Sequence, residues 1–67
     1  MKVINRELVN VSRLWNNGKI IAWAFNTPQL ERDMKRLNLD GEIEETEMRY
    51  YLVEMMAKEV VKQNRNK

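Results

Sequence analysis

Three residues punctuate this chain. Gly18, Pro28 and Gly41 are its only glycines and its only proline, and these are the strongest local interrupters of helices and strands. Three breaks leave room for few elements, so the 67 residues read as one small domain, 1–67. A chain this short buries only roughly 60% of the surface its unfolded form exposes, and it has no Cys to staple it. The hydrophobic fraction, 43%, is still that of a packed domain.

The first break sits between two apolar runs. Val9, Val11, Trp15, Ile20, Ile21, Trp23 and Phe25 are β-branched or aromatic, types that favour strands. The pattern predicts a β-hairpin or small antiparallel meander over about 3–25, turning at Asn16-Asn17-Gly18, with a short added strand at Lys2–Asn5. Two registers fit. A two-residue loop at Asn17-Gly18 pairs Trp15 with Ile20 and mixes both faces. A three-residue loop with Gly18 as a left-handed bulge pairs Trp15 with Lys19. It gathers Val9, Val11, Arg13, Trp15, Lys19, Ile21, Trp23 and Phe25 on one face and leaves Ala22 and Ala24 on a shallow opposite face. The second register segregates large side chains more cleanly and is the expectation. A helix from Asn5 to Asn16, stopped by Gly18, is the alternative, but Val9-Asn10-Val11-Ser12 is poor helix material.

Beyond Phe25 the spacing turns helical. Thr27 as N-cap and Pro28 in the first turn open a helix over about 28–38, with Leu30, Met34 and Leu37 on one side. Asp40-Gly41 makes the next turn. A second helix is expected over about 44–63, with Glu42, Glu44, Glu45 and Glu47 at its start and Lys58, Lys62 and Arg65 at its end, which suits the helix dipole. Residues 64–67 read as a frayed basic tail. The expected class is α+β: N-terminal strands packed against two C-terminal helices.

Charge is segmented rather than strong. Residues 1–39 carry seven bases and three acids, 40–54 one base and six acids, and 55–67 four bases and one acid; +4, −5 and +3 sum to the net +2. There is no His, the commonest general base and metal ligand. With Cys absent as well, no enzyme, no metal and no cofactor is expected. The acids of 40–47 lack the ligand order of a calcium loop, in which Gly stands sixth and Glu twelfth. The longest apolar run, Ile20 to Phe25, is too short to span a bilayer. A cytoplasmic location and no small-molecule substrate are the expectations.

Two features point to binding. Met48, Leu52, Val53, Met55, Met56, Ala57 and Val60 spread over about 200° of the second helix at about 100° per residue, with Tyr50 widening the arc. That exceeds what one small sheet covers, and Met suits adaptable contact surfaces. Near the hairpin tip, Trp15 stands between Arg13 and Lys19, as in a contact hot spot; Arg13 stacked on Trp15 at the core edge is the structural alternative. The expected function is therefore a small protein-binding module, an inhibitor or regulator of a larger protein or a self-associating subunit, through Arg13, Trp15, Lys19, Met48, Tyr50, Met55 and Met56. Eight Asn and six Lys are compatible with an AT-rich bacterium or its phage.

The competing class is DNA binding through Arg13, Lys19, Arg32, Lys35 and Arg36. The order strand, short helix, turn, longer helix over about 20–63 resembles the ribbon–helix–helix family. That resemblance implies a homodimer whose paired strands enter the major groove. In "KIIAWAF" only Lys19 could read bases from such a strand, and the resemblance carries no site residues of its own.

Overall fold

The computed structural model describes residues 5–65, with side chains through Gln63. Elements follow in the order β1 (Leu8–Asn16), β2 (Lys19–Ala24), α1 (Thr27–Leu37), β3 (Glu42–Arg49) and α2 (Tyr50–Arg65). The fold is α+β, with an antiparallel sheet ordered β2-β1-β3. Residues 5–16 hold no helix: β1 is the central strand, hydrogen-bonded on both sides.

The hairpin turns on a two-residue loop. Asn17 and Gly18 both have positive φ, 52° and 76°, the type I′ geometry whose twist matches the flanking strands. Trp15 thus pairs with Ile20, not with Lys19 as the cleaner segregation predicted. The irregularity lies in the strand instead. Between Leu14 and Trp15 the register shifts, so that Leu14 pairs with Ala22 and Arg13 with Trp23, leaving Ile21 as the extra residue. The bulge puts Ile20 on the same face as Trp23, in the α2 core, and Ile21 with Ala22 and Ala24 in the α1 core.

Two cores exist because the sheet is a middle layer. On one face Val11 packs with Val53, Met56 and Val60 of α2, flanked by Val9, Ile20, Trp23 and Met48. On the other, Leu14 and Ala24 pack with Leu30 of α1, flanked by Ile21, Ala22, Met34, Leu39 and Ile43. The shallow alanine face is therefore filled by the chain's own first helix; small side chains there admit Leu30, which is fully buried.

α1 matches its expected span to within a residue, but its cap differs. Asn26, not Thr27, accepts the hydrogen bond from the Gln29 amide, at 2.9 Å. Thr27 turns its hydroxyl to Glu45, 2.5 Å away, and accepts from Ser12, whose oxygen is at 2.7 Å and whose side chain is buried. The helix closes on Asn38 in the left-handed conformation, with the Leu39 amide bonded to the Met34 carbonyl, a Schellman ending.

The second helix does not begin at 44. Residues 42–49 are β3, paired with β1 without interruption from Leu8↔Arg49 to Trp15↔Glu42. The order strand, helix, helix that resembled a ribbon–helix–helix protein is absent, because a strand separates the two helices and β2 pairs within its own chain. The four glutamates line that strand instead of solvating a helix start. α2 begins at Tyr50; the Tyr50 and Tyr51 amides donate to the carbonyls of Glu7 and Asn5, satisfying N–H groups that an uncapped helix leaves open. α2 continues to Arg65, so Asn64 and Arg65 are helical; Asn66, Lys67 and most of the expected strand at 2–5 lie outside the described residues. Among the described residues no helix is long and apolar enough to cross a membrane.

Candidate functional site

The hairpin tip and the C-terminal half of α2 enclose an open groove of about 340 Å³. β1 brings Arg13 and Trp15 to it, β2 brings its first residue, Lys19, and α2 brings Met56 and Glu59. Arg13 and Trp15 share a face because they are two residues apart on a strand. Met56, Glu59 and Val60 reach the groove because three- and four-residue spacings align on a helix. Lys19 and Glu59 are exposed at its rim, Trp15 is half-buried in its wall, and Met56 is buried beneath.

Its wall is held by a residue remote in sequence. Glu44 stands opposite Arg13 in the β1–β3 register. One oxygen, Oε1, accepts from Trp15 Nε1 at 2.8 Å and from Arg13 Nε at 2.9 Å and Nη2 at 2.5 Å. The guanidinium lies 5.4 Å from the Trp15 ring centroid and reaches Met48 Sδ at 3.9 Å. The Trp15 hydrogen bond, then those of Arg13, hold the Glu44 carboxyl below its ordinary value. Charge-assisted bonds of this kind fix geometry as well as adding stability. Arg13 is thus a strut under Trp15 rather than a free base, the arrangement weighed above as the structural alternative.

The expected contact residues divide. Arg13, Trp15, Lys19 and Met56 meet at the groove. Met48 is on β3, half-buried against the α2 core, because its segment is strand. Tyr50 is half-buried at the first turn of α2, and Met55 is 62% exposed on its outer side. The three methionines were therefore not one surface: Met56 is core, Met48 is a core flank, and Met55 alone is open. Arg32, Lys35 and Arg36 are exposed on α1, across the sheet from Arg13, and Arg36 pairs with Asp33 at 3.3 Å. The bases named for DNA do not form one patch.

Glu44 and Glu59 were not among the expected contact residues. Glu59 carried a signal, since it falls on the apolar flank of the helical wheel. Glu44 carried none, because it lies 31 positions from Arg13 and only the strand register brings the two together. Among the described residues, no group of three or more His, Cys, Asp or Glu is placed to hold a metal ion. No protein-family model, no curated protein and no solved structure matches this chain significantly.

Proposed function

We propose that the protein is a non-enzymatic protein-binding module, regulating a larger partner by seating part of it in the groove beneath Trp15. The observation that carries this reading is the wall itself: an indole half-exposed in an open groove, pinned by Glu44 and backed by Arg13. A rigid aromatic fixed before contact loses little entropy on binding, and Trp beside opposite rim charges is the composition of a contact hot spot. The division of the basic residues between two faces favours a protein partner over DNA.

Rim variants test it. Lys19 and Glu59 are exposed, so Lys19→Glu and Glu59→Lys should fold normally. A partner retained by the immobilised protein should be lost with either of these variants and kept with Arg32→Glu on α1. Equal retention by all variants defeats the groove. DNA binding that weakens by about one log unit per neutralised phosphate as salt rises would replace the reading.

A further inference from the structure

The two edges of the sheet differ in kind. The β2 edge is short, carries the bulge, and is flanked by both helices. The β3 edge runs eight residues in unbroken register with β1, contains no proline, and its outer backbone groups have no partner among the described residues. An edge like this is a template for a further strand. By strand alternation Glu42 and Glu44 stand on the α2 side and Glu45 and Glu47 on the other, and all four are exposed.

We infer that β3 accepts an extended, basic segment of another protein as a fourth strand. Backbone hydrogen bonds along β3 supply the docking, and Lys or Arg on both faces of the incoming strand meets the glutamates, since directly opposite residues lie about 4.5–5.5 Å apart. The same acids reject a second copy of this chain, because pairing β3 with itself sets glutamates against glutamates with only Arg49 to offset them. Glu44 and Glu45 are engaged within the fold by Arg13, Trp15 and Thr27. Glu42 and Glu47 take part in no hydrogen bond or ion pair among the described residues and are the pair free to select the strand. This surface is separate from the groove, so the two readings fail independently.

The test uses the full chain and a blocked peptide with lysines interspersed among valine and threonine. The peptide should bind and slow amide hydrogen exchange along β3. Backbone N-methylation at alternate peptide positions keeps its charge but removes strand donors, and should weaken binding by about tenfold or more, that is, about 1.4 kcal/mol. Glu42→Gln with Glu47→Gln should weaken it similarly, whereas Lys19→Glu should leave it unchanged. Four results overturn the inference: no binding of the lysine peptide, equal binding of the N-methylated or of a glutamate-for-lysine peptide, protection that appears away from β3, or a dimer of the chain alone that protects β3.

Discussion

At the scale of single residues, Glu44 connects the most to the least. Its one oxygen joins a base, an indole and, through them, the wall of the groove. Folding lowers the pKa of this carboxyl. The stability it lends is therefore present above the unfolded value, 4.5, and is lost as pH falls through the lower folded value. Urea melts from neutral pH to below 4.5 should show that loss, and Glu44→Gln should flatten it. Trp15 emission should shift over the same range in the native protein and not in the variant. Arg13 and Trp15 were legible as neighbours two apart on a strand. Their anchor was not, because no local pattern links position 13 to position 44. Gly41 is a second case. Its φ is +148°, and a Cβ there would come within 2.3 Å of the Trp15 carbonyl oxygen. Gly41→Ala should move this end of β3 and lower the midpoint of thermal unfolding, readable by circular dichroism.

At the scale of elements, α1 was legible and β3 was not. α1 carries a helical stripe, a proline in its first turn and an asparagine stop, all local signals. β3 carries one large apolar residue for each core, Ile43 on one side and Met48 on the other, so neither period stands out among its glutamates. Glutamate favours helix over strand in isolation; eight cross-strand pairs with β1 override that preference. The junction of α1 with the sheet makes a prediction of its own. Ser12 donates to Thr27, which donates to Glu45. Thr27→Val leaves the buried Ser12 hydroxyl without its acceptor and should cost about 1–3 kcal/mol in urea unfolding. Adding Ser12→Ala should return part of that loss, because no unpaired polar group then remains buried. Strictly additive losses would show that the two hydroxyls are not coupled.

At the scale of the whole molecule, the decisive fact is that the sheet has helices on both faces. A core of this size supplies only about 3–5 kcal/mol of net stability, and here it is divided between two clusters. Leu14 is fully buried in one of them. Leu14→Ala should cost about 3 kcal/mol and leave about 2 kcal/mol or less of that net stability, read as a large fall in the urea midpoint by circular dichroism. The sequence by itself determined the α+β class, the hairpin, the first helix and the later part of the second. Each of those rests on residues near one another in the chain: a turn within Asn16-Asn17-Gly18, a proline in the first turn of α1, a stripe, a stop. Only the tertiary structure decided the hairpin register, the strand at 42–49 and the fates of the three methionines. Register was misjudged because one large-residue face is the right criterion for a sheet with one core. A sheet covered on both sides instead accepts Ile20 with Trp23 on one face and Ile21 with Ala22 and Ala24 on the other, a grouping that the bulge at Ile21 makes. The return of β3 to β1, more than thirty positions away in the chain for Arg13 and Glu44, is set by what the folded layers bury. That information resides in no single window of the sequence.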